Sequence, residues 1–172
     1  MASNQYFLEL EPPAERLCHA PHVVIVGGGF TGVHACKALA KADVRITLID
    51  KRNFNLFQPL LYQVATGLVS RSDVATSLRE LVGTQDNVQV LLGEVTAVNP
   101  EGKQIVFNGK AYSYDHLILA TGSGSTYFGH EDWRTFAPPM KILEHAEDIR
   151  RRLLMAMEQA EQTPNPEARQ FL

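Results

Sequence analysis

Gly27, Gly29 and Gly32 stand in G-x-G-x-x-G spacing directly after the β-branched run 22–26, and Asp50 closes the next apolar run. Residues of these types at this spacing bind a dinucleotide. Gly27 permits a tight strand-to-helix turn, Gly29 lets the backbone approach a pyrophosphate where a Cβ would intrude, and Gly32 lets the helix pack close on its strand. The helix that opens there turns N–H groups and the positive end of its dipole toward the phosphates. Asp50, about 20 residues beyond the glycines, is placed to accept hydrogen bonds from ribose hydroxyls. Three glycines within six residues also occur in ordinary loops, so the assignment leans on the strand before them and the carboxylate after them. Lys51 and Arg52 follow directly. Two readings stay open for that pair: contact with adenine or phosphate, or plain solvation.

The elements that must hold this turn are legible around it. Gly32, Ala35, Cys36 and Leu39 recur at helical spacing and form a small-residue face, with His34, Lys37 and Lys41 on the wet side. Residues 44–49 read as the second buried strand. Residues 53–67 are apolar and aromatic but contain Pro59, show no clean period and end in Gly67. They read either as a packed loop or as a wall covering a flat aromatic cofactor. Ser70 or Ser72 is expected to cap a helix running to about Val82, with Val74, Leu78, Leu81 and Val82 as its apolar stripe. From Val88 the period switches to two: the runs 88–98, 104–107 and 110–114, the last two separated by Asn108-Gly109, predict a small antiparallel meander. One more apolar strand, over 115–119, ends in Ala120-Thr121-Gly122, whose small side chains permit a ligand to approach the backbone.

Composition narrows the function classes. At 172 residues the chain has room for one domain or one and a half. A net charge of −3, with no basic stripe interleaved with aromatics, argues against a nucleic-acid partner. No apolar run approaches the ~20 residues of a membrane span. Residues 1–20 lack a basic start and an apolar stretch and hold two prolines, which reads as a tail and not as a signal or transit peptide. Cys18 and Cys36 are the only cysteines, pointing to a reducing compartment rather than a disulfide framework, and the six histidines show no metal-ligand spacing.

The order of elements resembles the flavoprotein reductases with two dinucleotide domains, of the pyridine nucleotide-disulfide oxidoreductase superfamily. Within them, FQPLLYQVATG over 57–67, LLGEV over 91–95, YDHLILATGS over 114–123, YFG over 127–129 and APPMK over 137–141 are similar to the type II NADH:quinone dehydrogenases, which are single-chain and do not pump protons. A long helix containing IRRRLL over 149–154 continues the likeness, which runs from about residue 21 to 160. The resemblance implies an α/β, Rossmann-like three-layer FAD/NAD(P)-binding fold, with a parallel sheet and an inserted antiparallel β-meander. It places Gly27, Gly28, Gly29, Phe30 and Gly32 at the FAD pyrophosphate and Asp50 at the ribose with Lys51 and Arg52 beside it. Val95 comes near adenine through its backbone, and Ala120, Thr121 and Gly122 lie along the cofactor. Thr31 stands where the family usually has glycine, in a variable slot of the fingerprint, and Asn55 where it usually has histidine, so no proton-handling role carries over to that position. No side chain stands out as a catalytic acid, base or nucleophile.

The same resemblance divides the chain into a tail over 1–20, an incomplete FAD-binding domain over 21–161 and a linker over 162–172 toward an NADH-binding domain. Family members are longer, with a second glycine fingerprint for NADH and a C-terminal amphipathic region that seats a cytoplasmic enzyme peripherally on the membrane, where it reduces quinone. The 172 residues are therefore expected to be the N-terminal part of such an enzyme: FAD-binding, inactive alone, and prone to self-association through apolar surface left uncovered. Two alternatives are a sister flavoprotein such as a sulfide:quinone reductase, for which Cys18 and Cys36 are misplaced, and a non-catalytic flavin-binding or interaction module.

Overall fold

The computed structural model describes residues 19–165. The tail over 1–18 with Cys18, and the part of the expected linker over 166–172, lie outside them. Along the chain the elements are β1 His22–Val26, α1 Phe30–Ala38, β2 Arg45–Asp50, β3 Phe54–Leu56, α2 Leu61–Ala65, α3 Arg71–Val74, β4 Ala75–Ser77 and α4 Leu78–Val82. There follow β5 Val88–Leu92, β6 Val95–Asn99, β7 Gln104–Phe107, β8 Lys110–Ser113, β9 His116–Leu119 and α5 Leu143–Gln162. They form two compact units interleaved in sequence. One runs to Asn53 and resumes over Ser77–Thr121; the other comprises Phe54–Thr76 and the residues from Gly122 onward.

The first unit has the α/β architecture expected. Its parallel sheet has the order β5-β2-β1-β9, with Val23 paired to Ile46 on one side and to His116 on the other. β1 is buried on both faces, which explains its unbroken β-branched sequence. Val23 and Ile25 pack with Val33 and Cys36 of α1, Ile46 and Leu48 of β2, and Leu78 and Val82 of α4. Val24 and Val26 pack the other way, with Ile49, against Ile105 and Phe107 of β7 and Tyr114. Full burial of side chains such as Ile25 and Leu48, both at 0% exposure, contributes about 1.5–3 kcal/mol each. The meander β6-β7-β8 is the third layer. Its β7–β8 turn is Asn108-Gly109, with φ of 49° and 75°, the left-handed pair that a two-residue hairpin requires.

Two sequence expectations change. The run 88–98 divides at Gly93: β5 joins the parallel sheet beside β2, and only β6 enters the meander. The helix expected from Ser70 to Val82 is broken into α3 and α4 by β4, which pairs with β3. Backbone groups that a continuous helix would use internally are bonded elsewhere: the Val74 carbonyl accepts from Phe57 N–H at 2.8 Å, and Leu78 N–H donates to Asn53 O at 3.0 Å. The cap itself is Ser70, whose N–H donates to the Asp73 carboxylate at 2.7 Å. The segment over 53–67, unreadable by period, forms β3, a 3₁₀ turn over Gln58–Leu60 and α2.

In the second unit, Leu61, Val64 and Ala65 of α2 and Val74 pack with Leu143 and Ala146 of α5. The C-terminal half of α5 leaves Leu153, Leu154, Met155 and Met157 exposed.

His22 ties the layers of the first unit together. Its Nδ1–H donates to the Ser113 carbonyl of β8 at 3.0 Å, while Nε2 accepts from the Thr47 hydroxyl of β2 at 2.8 Å. The bond accepted at Nε2 requires neutral imidazole, whereas the Nδ1–H bond to Ser113 is made in either protonation state; burial, aided by the Arg45 charge, holds the pKa below the ordinary value. The unfolded chain therefore takes up this proton first as pH falls, near the usual 6.5. The His22 contribution to stability is whole above that pH and declines below it. Urea midpoints measured at pH 7.5 and 5.5 should fall with acidification in the wild type, and fall less in His22→Gln.

Candidate functional site

The site forms where β1, β2, β5 and β9 end side by side. Gly27 leaves β1 at φ 111°, its N–H bonded to Ile49 O at 2.8 Å, while Ala120 N–H after β9 bonds Val26 O at 2.8 Å. A Cβ at Gly27 would collide with the Ala120 carbonyl, and one at Gly32 with the Gly27 carbonyl. α1 thus lies directly on the turn. At Gly28 a Cβ would come within 2.5 Å of Leu78 Cδ1. Gly29, the N-cap of α1, is different. Its backbone is ordinary extended chain, φ −73° and ψ −167°, it is exposed, and an added Cβ would meet nothing within 4 Å. Nothing within the chain calls for glycine there. The surface it keeps open adjoins a helix N-terminus, where an anionic pyrophosphate fits.

Asp50 closes the turn. One carboxylate oxygen accepts Gly28 N–H at 2.5 Å and the other accepts Arg52 N–H at 2.6 Å, so each oxygen keeps a lone pair for a further donor. Above it lies a cleft of about 170 Å³ lined by Val26, Gly27, Ile49, Asp50, Lys51, Gly93, Glu94, Val95 and Thr121. That is below the ~300–1,000 Å³ of a pocket for a drug-sized ligand, a size for part of a dinucleotide.

Of the residues named from sequence, Gly27, Asp50, Lys51, Val95 and Thr121 meet in this cleft. Gly28 and Gly32 are buried behind it, and Gly29 and Phe30 stand exposed at the start of α1. Arg52 enters through its backbone N–H, Ala120 anchors β9 to β1, and Gly122 follows at φ 73°. Gly93 and Glu94 were missed. The signal was a glycine interrupting an alternating run, which marks a break or a close approach. Gly93 N–H donates to Asp50 O at 2.9 Å, and a Cβ there would strike the Phe107 ring.

Cys36 lies on the buried face of α1, where burial pushes its thiol up to about 11. Among the described residues, no three His, Cys, Asp or Glu side chains are placed to hold a metal ion, and no helix is long and apolar enough to cross a membrane.

Comparison with known proteins agrees with the architecture. The chain is 45% identical over 167 residues to the type II NADH:quinone oxidoreductase Ndh of Mycobacterium tuberculosis, an overlap covering 93% of this chain and 36% of that protein. The solved structure of NDH2 from Plasmodium falciparum in complex with NADH superposes with a TM-score of 0.76 at 27% identity, over 85% of this chain and 31% of that one. The sulfide:quinone oxidoreductase of Aquifex aeolicus gives 0.68 at 26% identity, over 84% and 33%. The chain thus spans about a third of the length of the relatives it matches. The pattern of the pyridine nucleotide-disulphide oxidoreductases runs through residues 21–160, and the chain belongs to that family.

Proposed function

We propose that this chain is the FAD-binding part of a type II NADH:quinone oxidoreductase, with residues 21–161 forming the flavin domain. Gly29 carries the reading: it is the glycine of the turn that the protein's own packing does not explain, and it stands exposed at the N-terminus of α1. In this reading Gly27, Gly28, Gly29, Phe30 and Gly32 shape the seat of the pyrophosphate. Asp50 takes ribose hydroxyls on its remaining lone pairs while holding the turn through Gly28, and Lys51 and Arg52 flank it. Val95 faces adenine, and Ala120, Thr121 and Gly122 give a backbone edge along the cofactor. The bound flavin supplies two-electron transfer from NADH to a quinone. The chain supplies position, exclusion of water and a fixed electrostatic surround. NADH and quinone as substrates, and a peripheral place on the cytoplasmic face of a membrane, are proposed for the whole protein, since the chain matches about a third of its relatives.

The likeness to sulfide:quinone oxidoreductase raises a second reading, and Cys36 weighs against it. Sulfur chemistry needs an accessible thiolate, whereas this thiol is buried with its pKa raised. The test is to purify the whole protein to which these residues belong, release its bound chromophore by heat and identify it, then assay NADH oxidation with a soluble quinone. FAD and quinone-dependent turnover are expected; FMN, or no flavin, overturns the reading.

Two substitutions probe the site residue by residue. Asp50→Ala removes a charged acceptor worth about 1.5–3 kcal/mol and should weaken FAD binding roughly 10- to 100-fold by flavin fluorescence titration. Unchanged affinity would remove Asp50 from the site. Because position 29 has room for a side chain as far as the protein is concerned, Gly29→Val should purify folded but colourless. A yellow variant with full flavin content contradicts the pyrophosphate assignment.

A further inference from the structure

We infer that the second unit carries a site for an amphipathic monoanion, an alkyl chain ending in a carboxylate, in the groove between α5 and the segment over 64–71. The inference is independent of the FAD reading. A groove of about 580 Å³ opens there, within the ~300–1,000 Å³ of pockets that enclose a small-molecule ligand. Every residue lining it belongs to the second unit. Its apolar surface comes from Val64, 2% exposed, together with Leu154 and Met155, each half exposed.

Three arginines and one glutamate stand at that surface. Arg71 is paired with Glu147 at 3.3 Å, and Arg151 with Asp148 at 2.6 Å. Arg150 differs. Its guanidinium lies against Gly67, where an added Cβ would be 3.5 Å from Cζ and 3.6 Å from Nη2, so the position of the charge is set. Among the described residues Arg150 makes no hydrogen bond or ion pair, and it alone of the three arginines keeps an uncompensated charge.

A planar guanidinium offers parallel N–H donors that match the two oxygens of a carboxylate. A single unpaired cation calls for a single negative charge. A phosphate monoester would bring a second charge toward Glu147, where like charges repel. Beyond the head group, the alkyl stems of the arginines extend the apolar wall of Val64, Leu154 and Met155, and an alkyl chain laid on it removes that surface from water.

The test takes the whole protein to which these residues belong, freed of lipid and detergent, and titrates it calorimetrically at neutral pH with decanoate and with decanol below their aggregation limits. The wild type should bind decanoate at a single site, about tenfold tighter than decanol. Arg150→Gln should weaken decanoate about tenfold, leave decanol unchanged and leave the melting temperature unchanged. Leu154→Ser should weaken acid and alcohol alike, severalfold. Equal affinity for acid and alcohol in the wild type overturns the inference, as does an Arg150→Gln variant that binds decanoate normally or loses both ligands equally. No saturable uptake of decanoate overturns it as well, since the groove is then filled by another part of the protein. Binding to phosphatidylglycerol vesicles without binding of free decanoate assigns the surface to a membrane and overturns it too.

Discussion

The carbonyl oxygen of Gly27 occupies the space that a side chain at position 32 would fill, and the geometry of the site follows from that contact. It allows α1 to start directly above the end of β1 rather than a residue's width away. The helix N-terminus then adjoins the sheet edge, Gly29 lies open beside it, and Val33 and Cys36 reach the core under the sheet. A methyl group at Gly32 would lift the helix and separate these features. Glycine acts here by being absent as volume, not by adding an interaction.

Asp50 couples the turn to the second strand. Its two oxygens bind one N–H on each side, Gly28 across the turn and Arg52 along its own chain. Such charge-assisted bonds are stronger than neutral ones, so the glycine turn is ordered by the protein itself. A ligand that adds donors to the remaining lone pairs meets a carboxylate already oriented, which lowers the entropic cost of binding.

The two faces of the sheet divide the work. Helices α1 and α4 cover one face and the meander the other, so the strands are shielded except at their ends, where the cleft opens. The meander also fixes part of the site, because Phe107 packs over Gly93 and sets the path of the 93–95 turn. His22 secures the opposite end of the same layers. The second unit has its own smaller core, and its α5 continues past that core with an exposed apolar stretch over Leu153, Leu154, Met155 and Met157.

Local signals alone determined a good deal. The β-branched run before Gly27, the glycine spacing, the small-residue face of α1, the carboxylate at Asp50 and the Asn108-Gly109 hairpin each depend on neighbours within a few residues, so they are readable along the chain. Tertiary structure decided what depends on distant partners. Whether Ala75–Ser77 is helix or strand turns on the presence of β3 some twenty residues earlier, and tertiary pairing overrides weak local preference. The split of 88–98 between two sheets depends on β2 and β7 both claiming part of one alternating run. Glu94 joins the site only because Gly93 bonds Asp50, a residue more than forty positions away. Periodicity records which face of an element is buried; it carries no information about which remote backbone will lie against it, and that is where the rest of the cleft was made.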